Sequence, residues 1–236
     1  MKFRASTERF HSQFDWLDSW HSFSFSHHYD PRWMGFGPLR VINDDTVAAG
    51  RGFGMHPHQD MEIVTVMVQG QLNHRDSMGH SEVLKAGEVQ RMSAGTGVVH
   101  SEMNLGEEAC RFLQIWIEPD QRDLKPDYEQ KPFGIGRDWT ALLDPSGRDA
   151  AMAISQTLFL WRAKPQPGDE LSLPAEGGPM LWLQLIDGAL SWTSEQGEPA
   201  TLVKGDGVGL HRDDPRLHRL RGTDSGADVL LFAMNA

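Results

Sequence analysis

Short runs of alternating or continuous apolar residues recur along the chain, each closed by Gly, Asp, Asn or Ser. EIVTVMVQG (62–70), QLNHRDS (71–77), EVLKAGEVQRMSAGTG (82–97) and RFLQIWIE (111–118) are examples. Side chains of a strand alternate between its two faces, so such runs read as strands joined by tight turns. Long amphipathic helical patterns are scarce. The pattern predicts an all-β chain of antiparallel sandwiches or barrels. Asn43, Asp44 and Asp45 follow the apolar run LRVI and read as a turn. The segment 119–132 (PDQRDLKPDYEQKP) carries three prolines and many charges and reads as a surface connection dividing the chain near its middle.

The second half repeats the first. Setting Gly188 under Gly70 gives an offset of 118 residues, and VQGQL (68–72) then falls on IDGAL (186–190) without a gap. VLKAGEV (83–89) falls on TLVKGDG (201–207), with Gly87 over Gly205. A unit of this length implies two related β-domains rather than a solenoid. The expected division is residues 1–130 and 131–236.

Composition narrows the function classes. With 236 residues, 39% of them hydrophobic, 24 Gly and 13 Pro, the chain belongs with folded, turn-rich proteins. A net charge of −11 without a basic cluster argues against nucleic-acid binding and against an anionic membrane surface. Cys110 is the single cysteine, so no intrachain disulfide forms; beside Arg111 in a strand it reads as a core filler. No apolar stretch has the roughly 18–20 residues of a membrane helix, and MKFRASTERFHSQFDW lacks a signal-peptide core. A soluble, cytoplasmic protein is expected.

The candidate chemistry lies in two short motifs. His56 and His58 flank Pro57, and His100 and Glu102 flank Ser101. Residues two apart on a strand share a face, so two neighbouring strands would bring three imidazoles and one carboxylate to one point. That is a ligand set for a divalent first-row metal, iron above all, with positions left open. In the second half the same alignment gives Pro174, Glu176 and Leu220 for His56, His58 and Glu102, and only His218 is retained. The second domain is therefore expected to be degenerate, structural or covering.

The first half resembles the pirins, two-domain cupins that include bacterial quercetin 2,3-dioxygenases. The resemblance lies in WHSFSFSHHYDPRWMGFGPLRVINDD (20–45), GFGMHPHQDMEIVTV (52–66), HRDSMGH (74–80), GEVQRMSAGTGVVHSEMN (87–104) and LQIWIEP (113–119). It implies a bicupin with one metal in the N-terminal domain, on His56, His58, His100 and Glu102. The general cupin pattern would place a carboxylate at Glu62. A straight strand carries that residue about 13 Å beyond His58, and the resemblance favours Glu102.

The resemblance further implies a quercetinase-type dioxygenase, opening flavonols or related aromatic enols with O2 and releasing carbon monoxide. Glu102 would be both ligand and proton acceptor. Fe(II) is the expected ion, with Zn, Ni, Co, Mn and Cu as alternatives. The alternative function is a non-catalytic, metal-containing pirin acting as a protein-binding or redox-sensing module. The absence of cysteine ligands tilts the reading toward an open, catalytic site. A monomer is expected. Phe53, Met55, Met67 and Met92 are candidates for an apolar wall against aromatic rings, or for ordinary core. His21, His27, His28, His74 and His80 read as structural or surface histidines.

Overall fold

Val, Ile and Thr crowd the strand-like runs, and their stiff β-branched side chains suit a pleated backbone. The computed structural model describes residues 1–193, 199–214 and 220–235. Among these the regular elements are strands and two single-turn 3₁₀ helices, Ser6–Glu8 and Pro31–Trp33. Among the described residues no helix is long and apolar enough to cross a membrane. The chain divides into two units. One comprises Phe10–Phe133 with Ile154–Gln156; the other comprises Met1–Arg9, Gly134–Ala153 and Thr157–Ala236. The first strand, β1 (Lys2–Arg4), thus belongs with the C-terminal unit, where it pairs with a strand near residue 208.

The unit built on Phe10–Phe133 contains β2 (Phe10–Gln13), β3 (Leu17–His21), β4 (Leu39–Val47), β5 (Arg51–His58), β6 (Glu62–Gln69) and β7 (Gln71–Asp76). It continues with β8 (Ser81–Lys85), β9 (Glu88–Ser93), β10 (Val98–Asn104), β11 (Cys110–Ile117) and β12 (Asp127–Pro132). They form a seven-stranded sheet, β12-β9-β6-β11-β4-β3-β2, and a four-stranded sheet, β5-β10-β7-β8, antiparallel throughout. Leu17, Val47, Met67 and Phe112 of the larger sheet pack against Leu72 and Leu84 of the smaller. Cys110 joins that cluster, and burial pushes its thiol up to about 11, as a core filler requires.

Two expectations fail here. The last six residues of the proline-rich connection are strand: β12 pairs with β9 at the sheet edge, where Pro132, the last residue of the strand, is tolerated. Asn43, Asp44 and Asp45 are no turn but the middle of β4, all buried.

The other unit adds β13 (Thr140–Asp144), β14 (Met152–Ala153), β15 (Leu158–Ala163), β16 (Glu170–Leu171), β17 (Met180–Thr193), β18 (Pro199–Val203), β19 (Gly207–His211) and β20 (Leu220–Met234). Together with β1 they make a nine-stranded sheet whose long members, β17 and β20, pair across two register shifts. The internal repeat is visible in the backbone. Gly70 and Gly188 have φ of 74° and 73°, and Gly87 and Gly205 have φ of 87° and 86°, the left-handed conformation that favours glycine. Leu220, the counterpart of Glu102, is buried in this unit's core. His218 lies outside the described residues.

Candidate metal centre

The geometry of the candidate site is set by how β5 meets β10. His56 stands directly opposite His100, but Glu102 pairs with Phe53, so Gly54 and Met55 together oppose the single residue Ser101. Such a bulge re-aims the side chains that follow it. Phe53, His56 and His58 consequently all line one cavity, although the spacing from 53 to 56 is odd. Met55 is turned outward and is 57% exposed, which removes it from the apolar wall. Met67 and Met92 are fully buried core, leaving Phe53 as the member of that quartet that reaches the cavity.

The strands also approach closely. Gly52 has φ of +154°, and a Cβ there would stand 2.3 Å from the Glu102 carbonyl oxygen. Gly52→Ala is therefore expected to push β5 off β10, costing at least about 1 kcal/mol and weakening metal binding. Thermal unfolding and metal titration of the variant check this; an unchanged melting temperature would mean that the strand pair yields freely.

The three imidazoles converge. One ring nitrogen of each of His56, His58 and His100 lies within 4.8 Å of the others, and Nε2 of His56 and Nε2 of His100 are 3.0 Å apart. His56 Nδ1 donates to the Gly54 carbonyl at 2.7 Å, so in the neutral ring Nε2 carries the lone pair. Burial, then the neighbouring imidazoles, push His100 down to about 2; burial, then His56, push His58 down to about 4. Both rings are thus neutral, the form that binds metals. A convergent set of imidazole nitrogens at the edge of a cavity fits a divalent transition ion.

Glu102 is placed differently. It is buried, accepts hydrogen bonds from Gln114 Nε2 at 2.7 Å and Thr65 Oγ1 at 3.3 Å, and burial outweighs both to raise its carboxyl to about 7. Its carboxylate groups within 4.8 Å with a nitrogen of His74 and one of His100, not with His56 and His58. His100 is common to both groups. Glu62 falls in neither; it is buried and accepts a hydrogen bond from Ser93 at 2.8 Å.

His74 is buried, as a structural histidine would be, but it stands behind His100, the two ring centroids 5.3 Å apart. Its Nε2 donates to Asp76 at 3.0 Å, and His80 Nδ1 donates to the same carboxylate at 2.9 Å. Tyr128 stacks on both rings, at 4.7 and 4.6 Å.

The polar residues of β4 now find their reason. In register across the larger sheet run His21, Asn43, Gln114, Thr65, Gln90 and Gln130, one from each of six strands. His21 Nδ1 and Asn43 Oδ1 are 2.8 Å apart, Thr65 donates to Gln114 at 3.2 Å, and Tyr128 donates to Gln90 and Gln130. Buried amides are tolerable because they bond to one another and to Glu102. A single-sequence scan along β4 sees only a polar run; the row exists across strands.

The cavity beside the imidazoles has a volume of about 1080 Å³. Trp16, Phe25, Phe53 and Trp116 supply aromatic wall, and His21, Asn43 and Gln114 supply polar floor.

Two all-β units in one chain, the first carrying a histidine cluster beside an apolar cavity, make this protein a bicupin. Residues 3–117 match the family Pirin, and residues 141–234 match the family described as Quercetinase C-terminal cupin domain. The quercetin 2,3-dioxygenase of Escherichia coli K12 is 39% identical over 231 residues, 97% of this chain and 96% of its own length. The crystal structure of YhhW from Escherichia coli superposes with a TM-score of 0.90 at 39% identity, covering 99% of this chain and 97% of that one. The bacterial pirin YhhW in complex with nickel(II) superposes with a TM-score of 0.89, covering 99% and 98%. The chain belongs to the pirin family.

Proposed function

We propose that this protein is a metal-dependent dioxygenase of the quercetinase type, cleaving flavonols or related aromatic enols with O2 and releasing carbon monoxide. The observation that carries the reading is the convergence of three imidazoles, His58 and His100 held neutral, at the edge of an aromatic-lined cavity. The name of the Escherichia coli relative supports it. His56, His58 and His100 would hold one divalent metal, with Glu102 as the fourth ligand. Iron(II) is the proposed resident ion; nickel(II), which the related YhhW binds, stands higher in the Irving–Williams order and would replace it readily.

Once bound, the metal supplies Lewis acidity, which favours the anionic form of a hydroxyl brought beside it. The protein's own groups do the rest. Trp16, Phe53 and Trp116 take the planar rings and exclude water from them. Glu102 accepts the enol proton at a carboxylate oxygen, the role of a positioned general base. Gln114 and Thr65 hold that carboxylate in place while the proton moves.

The test is anaerobic reconstitution with ferrous iron, and in parallel with nickel(II), followed by quercetin and oxygen. Flavonol bleaching with an equal amount of carbon monoxide is the expected result. Bound metal with neither product would overturn the reading and favour the metal-containing binding module.

A further inference from the structure

The inner face of the larger sheet carries more polarity than the proposed centre uses. Two residues along the strands from His21 and Asn43 stand Ser19 and Asp45, directly opposite each other. Their row continues into Phe112 and Met67, the apolar residues a sandwich core calls for. Both Ser19 and Asp45 are buried, yet both line the cavity onto which His56 and His58 open.

A carboxylate in place of an apolar side chain there is costly unless something polar meets it. The Ser19 hydroxyl donates to Asp45 Oδ1, and among the described residues no donor reaches Oδ2. The neighbouring Asp44 is matched by Arg111 at 2.8 Å, whereas Asp45 has no cationic partner among the described residues. Burial raises the Asp45 carboxyl to about 7, against the pull of Ser19, so near neutrality it offers an acceptor and, in its protonated fraction, a donor. Strand spacings put the Asp45 backbone roughly 8 Å from that of Gln114, the residue bonded to Glu102. Asp45 and Ser19 share with His56 and His58 a cavity of about 1080 Å³, room for a ligand of more than one ring.

We infer that Ser19, Asn43 and Asp45 form a subsite for phenolic hydroxyl groups, at the end of a planar polycyclic ligand remote from His56 and His58. The inference rests on the proposed function only in taking that ligand to be flavonol-like. Asp45 determines specificity: it favours polyhydroxylated rings over bare ones, because a bare ring leaves its buried oxygen unpaired.

The experiment is a fluorescence titration without oxygen, using nickel-loaded protein and two probes. One is quercetin; the other is 3-hydroxyflavone, the same ring system with the enol hydroxyl alone. Wild-type protein is expected to prefer quercetin. Asp45→Leu should weaken quercetin about tenfold and leave 3-hydroxyflavone within about twofold. Ser19→Ala should weaken quercetin about threefold and spare 3-hydroxyflavone, and it carries the test alone should Asp45→Leu not fold. Equal losses for the two probes, or no loss for either, would overturn the subsite. Because no turnover is read, the two proposals fail separately. A quercetin preference that depends on Asp45, without carbon monoxide on admitting oxygen, removes the dioxygenase and leaves the subsite. Turnover without that preference does the reverse.

Discussion

His100→Ala is expected to reduce the metal content from one ion per chain to near zero and to remove flavonol turnover with it. His100 is the ring that both candidate groups share, fully buried and directly across from His56. Without it, two half-buried imidazoles on β5 and a carboxylate held by Gln114 and Thr65 have nothing to join them. The loss should exceed the roughly 10–100-fold that follows removal of an outer hydrogen-bond partner of a ligand. The fold should survive, because His100 Nδ1 has no hydrogen-bond partner among the described residues and its loss breaks no bond at that atom. Metal analysis after reconstitution and dialysis, with circular dichroism as the check on folding, decides the matter. A folded variant that still carries one ion per chain would exclude His100 as a ligand.

Which residues meet was legible from strand periodicity to different degrees. His56, His58 and His100 come together because spacings of two on paired strands survive in the structure. The bulge at Gly54 and Met55 was not legible, since it depends on a one-residue mismatch between strands that are distant in sequence. It is what turns Met55 away from the cavity and Phe53 into it. The repeat was legible through its glycines, because Gly70 and Gly188, like Gly87 and Gly205, share a backbone conformation that few other residues adopt. Asn43 and Asp45 stand in the middle of β4 but read as a turn in the sequence alone. Polar residues in a row normally mark one, and the partners that make them affordable, His21, Gln114 and Ser19, lie on β3 and β11. The placement of β1 with the C-terminal unit left no trace in KFR, a segment too short to show alternation.

Glu102→Gln separates proton transfer from metal binding. The glutamine is close to isosteric, and its carbonyl oxygen can accept from Gln114 as the carboxylate does at 2.7 Å. Its amide can donate to Thr65 Oγ1, whose single proton, shared between Glu102 Oε1 and Gln114 Oε1 while the carboxylate is in place, then goes to Gln114 alone. The buried bonds therefore persist, the fold is kept, and three imidazoles remain to retain part of the metal. What disappears is the carboxylate proposed to take the enol proton. Turnover per bound metal should fall by about 10²–10⁴, the usual contribution of a positioned base, while quercetin binding without oxygen changes far less. An unchanged rate per metal would mean that the enol proton leaves by another route. Glu62, held by Ser93 and in neither ligand group, is poorly placed to provide one. His74 groups with His100 and Glu102, but its Nε2 already donates to Asp76, which leaves Nδ1 as the one atom there able to take a proton in place of Glu102.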